Sequence, residues 1–147
     1  MPDPYRYTCA IFIIQDDTVL MVKHKKLQRW LPPGGVIEAN ETPDQAALRE
    51  VLEETSLNIQ LLGNKPEPLP DVNLVHPPIH IQVEHNPHGH DNIDFIYYAE
   101  LIDQKQTCKI STNELEGFCW MNKNLIEQLI PEEEIKMNCL RAINHTF

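Results

Sequence analysis

The chain has 147 residues, 41% of them hydrophobic, with 22 acidic side chains against 12 basic ones and a formal net charge of −10 at pH 7. That length suits one domain with a proper core and leaves no room for a second. The acid excess argues against holding a long nucleic acid by phosphate neutralisation, so a phosphate-bearing partner is expected to be small, or gripped through metal and a local basic patch.

Residues 5–14 and 19–23 are β-rich and flank Gln15-Asp16-Asp17-Thr18, which predicts a hairpin. The apolar run from Cys9 to Ile14 is far too short to span a bilayer, and the N-terminus lacks a secretory pattern. Cys9, Cys108, Cys119 and Cys139 have no paired spacing and read as small buried hydrophobes in a reducing compartment. A soluble cytoplasmic protein with no membrane partner is therefore expected. Lys23, Lys25, Lys26 and Arg29 cluster ahead of a glycine pair, either as ordinary surface cations or as a rim that draws in polyphosphate. Trp30-Leu31-Pro32-Pro33 then leads into Gly34-Gly35, expected to be a sharp turn close to a ligand. Trp30 could stack on a base or simply pack the loop.

A helix start follows. Thr42 is a good N-cap, Pro43 suits the first helical position, and Gln45 can close a capping box. At about 100° per residue, Glu50, Glu53 and Glu54 share one face, with Ala46 beneath them, while Leu48, Val51, Leu52 and Thr55 form an apolar arc expected to pack inward. Like charges at this spacing repel, and near a helix C-terminus the macrodipole adds to the penalty. A hard divalent cation such as Mg²⁺ or Mn²⁺ would reverse both effects.

Residues 58–62 read as a strand, and the proline-rich stretch 63–78 as an ordered surface loop. Ile79, Ile81 and Val83 alternate with His80, Gln82 and Glu84; the polar side either faces water or looks into a cleft, with Glu84 as a ligand or base. Five of the seven histidines lie between His76 and His90, where an exposed turn, a zinc site and a histidine brought to substrate phosphate all stay open. Residues 93–101 are apolar on both faces, as a central strand requires. Residues 118–121 suggest another strand, 124–129 a helix, and Pro131 opens a last helix whose Glu132, Glu133 and Glu134 suit its N-terminus. Glu114 and Glu116 lie in a loop ahead of that strand. The order of elements fits an α/β sandwich with a mixed sheet.

Gly35, five residues, Glu41, seven residues and then Arg49-Glu50-Val51-Leu52-Glu53-Glu54-Thr55-Ser56-Leu57 resemble the Nudix box, departing only at Ser56, where that family has glycine. Glycine there ends the helix in a left-handed turn, and serine costs about 1 kcal/mol without removing a ligand. The resemblance implies a single Nudix domain over residues 1–147 with an α/β/α fold and Mg²⁺-dependent hydrolysis (Mn²⁺ as a substitute) of a pyrophosphate bond in a nucleoside diphosphate linked to another group. By the same resemblance Glu50, Glu53 and Glu54 hold the metal with the Gly34 carbonyl, Arg49 orients the glutamates and Glu41 braces the loop. The base would be a box glutamate such as Glu53, or one of Glu84, Glu114 and Glu116. Lys23, Arg29 and Glu84 are the expected substrate contacts. A nucleoside triphosphate, in the MutT-like manner, comes first among substrates, with diadenosine polyphosphates, nucleotide sugars and non-nucleotide pyrophosphates open; a homodimer is also left open. The competing reading is a catalytically silent nucleotide-binding or regulatory module.

Overall fold

A computed structural model describes residues 4–146; residues 1–3 and 147, the ends of the expected domain, lie outside the described residues. Alternation in β1 (Arg6–Gln15) sends Cys9, Ile11 and Ile13 to one side and Phe12 and Ile14 to the other, all buried. In β7 (Asn92–Leu101), Tyr97 and Ala99 join the first group, and Ile96 and Tyr98 the second. Strands apolar on both faces must lie between two covering layers. These two pair in parallel, from Arg6↔Asn92 to Ile14↔Glu100. The other pairings are antiparallel and complete an eight-stranded mixed sheet: β2 (Thr18–His24), β3 (Trp30–Leu31), β4 (Gly34–Val36), β5 (Ile59–Leu61), β6 (His80–Glu84) and β8 (Leu115–Met121). Helix α1 (Pro43–Thr55) covers the Ile11 face, while α2 (Lys123–Leu129) and α3 (Glu133–Ile143) cover the Phe12 face. The result is the expected α/β/α sandwich. Among the described residues, no helix is long and apolar enough to cross a membrane.

The sheet forks. β1 and β2 pair only at their hairpin ends, Ile14↔Val19 and Gln15↔Thr18; beyond that β4 takes the edge of β1, and β3 that of β2. Pro32 and Pro33 carry the chain across the gap, and the Pro33 carbonyl accepts the Ile11 N–H at 2.9 Å. The expected Gly34-Gly35 turn is therefore a short strand, and neither glycine has a positive φ. Glycine is required for space. A Cβ on Gly34 would lie 2.1 Å from the Cys9 carbonyl oxygen, and one on Gly35 would lie 2.5–2.8 Å from the Glu50 carboxylate.

Helix α1 starts as its sequence directs, with Gln45 Oε1 accepting the Thr42 N–H at 3.0 Å. Its buried arc is rotated from the expected one. Ala46, Ala47, Val51 and Thr55 are buried, whereas Leu48 and Leu52 are 44% and 49% exposed. Two alanines let the helix approach the sheet closely, and that approach draws Glu50 and Glu54 inward in place of the leucines. Ser56 ends the helix in the left-handed region, φ 63°, and its hydroxyl donates to the Lys109 carbonyl at 3.1 Å. The Lys109 and Ser111 amides donate to the carbonyls of Thr55 and Glu54, both at 2.9 Å, satisfying acceptors that a helix end leaves open.

Candidate active site

The inward approach of α1 defines the site. Glu50, Glu53 and Glu54 line a cavity of about 640 Å³ together with Gly34, Arg49 and Glu114. Glu54 Oε1 accepts the Gly34 N–H at 2.9 Å, so strand β4 fixes its position. Burial pushes the Glu54 carboxyl up to about 7; the Gly34 hydrogen bond works against this, and the nearby charges of Glu50, Glu114 and Glu53 add to it. Burial also raises Glu50, opposed by its bond to Arg49.

Arg49 organises the rest. Its Nε and Nη2 grip both oxygens of Glu41 at 2.6 and 2.9 Å, Nη2 also reaches the Val36 carbonyl at 3.1 Å, and Nη1 bridges Glu50 at 3.0 Å and Glu53 at 3.2 Å. The Arg49 fork holds Glu41 below the usual carboxylate range, and Glu41 Oε1 accepts the Glu38 N–H at 3.0 Å, closing the loop ahead of the helix. Among the described residues no three acidic, histidine or cysteine side chains are gathered about one point, as a preformed metal site would have them. What fits a hard cation is the donor type and the charge: Glu38, Glu50, Glu53, Glu54 and Glu114 line this space with the single guanidinium of Arg49 among them.

The candidates outside the helix separate. Glu114 enters the acidic cavity on the segment that caps α1, and the turn after β2 anchors that segment: the Lys25 N–H donates to the Glu114 carbonyl at 2.8 Å and Lys25 Nζ to the Thr112 carbonyl. Glu116 is turned away, accepting from Gln28 Nε2 at 2.8 Å and lying 3.8 Å from Lys23. Lys23 stands over the Trp30 ring at 5.8 Å and lines neither cavity described here, which departs from its expected place on the substrate rim. Trp30 itself packs against the core under α2 and α3.

Arg29 and Glu84 lie instead on a second cavity of about 570 Å³ that meets the first at Gly34 and His24, which line both. Arg29 is held there by Glu132, with Nε and Nη2 each 3.0 Å from Oε1. Burial lowers the pKa of His24, as desolvation of a cation must. The polar side of β6 faces this cavity side of the sheet, and its expected apolar side is the exposed one: Ile81 is 54% and Val83 46% exposed.

Two residues of this second cavity escaped the sequence reading. Thr8 and Asp94 are cross-strand neighbours in the parallel β1–β7 pair, both buried, with Thr8 Oγ1 donating to Asp94 Oδ1 at 2.9 Å. Burial pushes the Asp94 carboxyl up to about 7, the Thr8 bond opposing it and the charges of Glu84 and Glu134 adding to it. The available signal was one acid inside the otherwise apolar IDFIYYA run. The histidines are engaged singly: His76 with the Leu62 carbonyl at 2.9 Å, His85 with Asp91 at 3.0 Å and His90 with the Pro4 carbonyl at 2.8 Å.

Comparison with known proteins bears on the same residues. The NUDIX domain family matches residues 4–142. A crystal structure of a NUDIX-family hydrolase from Clostridium perfringens superposes with a TM-score of 0.82 at 28% identity, covering 98% of this chain and 99% of that one. The chain is 31% identical over 98 residues to a probable DHNTP pyrophosphohydrolase of Lactococcus lactis subsp. cremoris, a match that covers 67% of this chain and 55% of that protein. It is 40% identical over 58 residues to a putative 8-oxo-dGTP diphosphatase of Bacillus subtilis, covering 37% of this chain and 39% of that one. The matches thus span about half or less of these two relatives' lengths.

Proposed function

Because this chain belongs to the Nudix family, whose hydrolases generally use a divalent metal, we propose that it hydrolyses a pyrophosphate bond in a small nucleotide, a nucleoside triphosphate first. The observation that carries the reading is that Glu50, Glu53 and Glu54 face one cavity, and that Gly34 and His24 line both it and a second cavity of about 570 Å³. The relatives named as acting on triphosphates agree with it. The net charge of −10 disfavours a long nucleic acid.

Glu50, Glu53 and Glu54, with the Gly34 carbonyl, are the residues that would hold Mg²⁺ or Mn²⁺. Once bound, the ion would neutralise phosphate oxygens and lower the pKa of water. Everything else falls to the protein. Arg49 keeps Glu50 and Glu53 aimed at the cavity, and Glu41 keeps Arg49 in place. Attack of water on phosphorus forms one P–O bond and breaks the bridging one, and a carboxylate must take the proton from the water. Outside the helix, we read Glu114 as that carboxylate, because it lines the acidic cavity while Glu84 lines the other and Glu116 is engaged with Lys23 and Gln28. Arg29 and Glu84 are then contacts for the nucleoside half.

Ser56, the one departure from the Nudix box, is the sequence feature that favours a silent binding module. The helix end it makes is intact, with the Leu52, Glu54 and Thr55 carbonyls each accepting a backbone N–H. Phosphate or pyrophosphate release from a nucleotide panel with Mg²⁺ tests the reading. Glu53→Gln and Glu54→Gln should each lower kcat by roughly 10²-fold or more with the circular dichroism spectrum unchanged. Near-normal turnover in both would remove the acidic helix from the mechanism.

A further inference from the structure

Resting on the nucleotide reading above, we propose that Asp94 selects the ring of the substrate by accepting two neighbouring N–H donors, so that the second cavity takes a 2-amino-4-oxo pyrimidine edge such as that of guanine.

The cavity has apolar walls from Phe12, Leu31 and Ile135, suited to a flat ring. Its polar lining mixes cations such as Arg6 and Arg29 with the acids Glu84, Glu132 and Glu134, and its buried polar pair is Thr8 with Asp94. Asp94 is only 6% exposed and has one oxygen engaged, Oδ1, by Thr8; among the described residues no donor is placed on Oδ2. Gln82 Nε2 is already committed to Glu134 Oε1 at 2.6 Å, and Glu84 adds a further carboxylate. Oδ2 is the oxygen of the Thr8–Asp94 pair left open to the cavity, so a ligand that supplies donors there is favoured over one that supplies lone pairs.

Ring chemistry then discriminates. Guanine presents a ring N–H beside an exocyclic NH₂, and the two point the same way, which matches the two oxygens of a carboxylate. Adenine and cytosine each place a ring nitrogen lone pair beside their amino group, which would face a carboxylate oxygen. Uracil offers one N–H between two carbonyls. Sites built to hydrogen-bond a given edge reject ligands lacking it far better than apolar pockets reject a change of size. The phosphates of such a ligand would pass Gly34 toward Glu50, Glu53 and Glu54, since Gly34 lines both cavities.

The test has a turnover arm and a binding arm. With GTP, ATP, CTP and UTP and Mg²⁺, the wild type should show kcat/KM for GTP at least about 10-fold above that for ATP, and Asp94→Asn should shrink that ratio about 10-fold or more, chiefly through KM. Equal use of GTP and ATP, or an unchanged ratio in folded Asp94→Asn, overturns the proposal. If Asp94→Asn does not fold, Thr8→Val, which removes the bond that orients the Asp94 carboxylate, should shrink the same ratio by a smaller factor, and an unchanged ratio there also overturns it. In the binding arm, GMP and AMP are titrated calorimetrically in EDTA, where the metal has no part. Tighter binding of GMP, lost in the variant, supports the ring assignment even if no triphosphate is cleaved, in which case only the hydrolase reading falls. Indifference between GMP and AMP sinks the ring assignment while leaving hydrolysis standing.

Discussion

The two cavities that meet at Gly34 are built in opposite ways. The acidic one takes Glu50, Glu53, Glu54 and Arg49 from consecutive turns of a single helix, braced by Glu41 a few residues upstream. The other collects Thr8, Glu84, Asp94 and Glu134 from three strands and a different helix. A site confined to one helix can be specified by spacing alone. A site assembled across a sheet depends on register, and a one-residue slip would turn each strand's contribution to the other face. On the function proposed above, this divides the labour: the local motif would carry the chemistry and the dispersed residues the choice of ligand.

Gly34→Ala should remove the distinction altogether, because its Cβ would meet the Cys9 backbone oxygen, which cannot swing aside. We expect a loss of roughly 3 kcal/mol or more, seen in urea unfolding, with both cavities affected. A variant of wild-type stability would mean that β4 can move away from β1. Glu114→Gln and Glu84→Gln should instead divide the regions. The first should lower kcat about 10- to 100-fold, and the second should change KM with kcat nearly kept. Equal kcat losses would erase the boundary drawn at Gly34.

A smaller effect concerns pH. Asp94 has a folded-state pKa raised to about 7 from an ordinary 3.8. The folded protein thus binds the proton more tightly than the unfolded chain does. Its contribution to stability is greatest below pH 3.8, declines as pH rises between the two values, and stays at its lowest above 7. Urea unfolding in EDTA should therefore show Asp94→Asn gaining on the wild type between pH 5 and pH 8 by about 2 kcal/mol. A pH-independent difference would mean that Asp94 keeps an ordinary pKa. The least effect is expected from Ser56→Gly, far from both cavities in consequence: glycine relieves the left-handed φ of 63° but loses the bond to Lys109. A gain of about 0.5 kcal/mol with unchanged kcat is expected, by thermal unfolding and assay.

How far the chain could be read without its structure follows the same line. The capping box at Thr42 and Gln45, the hairpin at Asp16 and Asp17, and the doubly buried β7 are local patterns, and all three are present. Asn122, an N-cap whose side chain accepts the Leu125 N–H at 2.9 Å, starts α2 one residue before the expected 124–129. The rotation of α1 was not readable, because Ala46 and Ala47 carry too little hydrophobicity to outweigh Leu48 and Leu52 in a periodicity count. Gly34 and Gly35 were misread as a turn because glycine signals both freedom and lack of bulk, and only the neighbours Cys9 and Glu50 decide which matters. Asp94 was invisible as a site residue, since its partner Thr8 lies 86 positions away.

That separation has a kinetic side. Parallel strands cannot be joined by a tight turn, and β1 meets β7 only after the whole intervening chain has looped back. The closure entropy of such a loop must be met before the contacts that reward it, which slows folding relative to a hairpin. During synthesis, the motif helix can form while the pocket beside it still lacks Asp94, which arrives only when the seventh strand has left the ribosome.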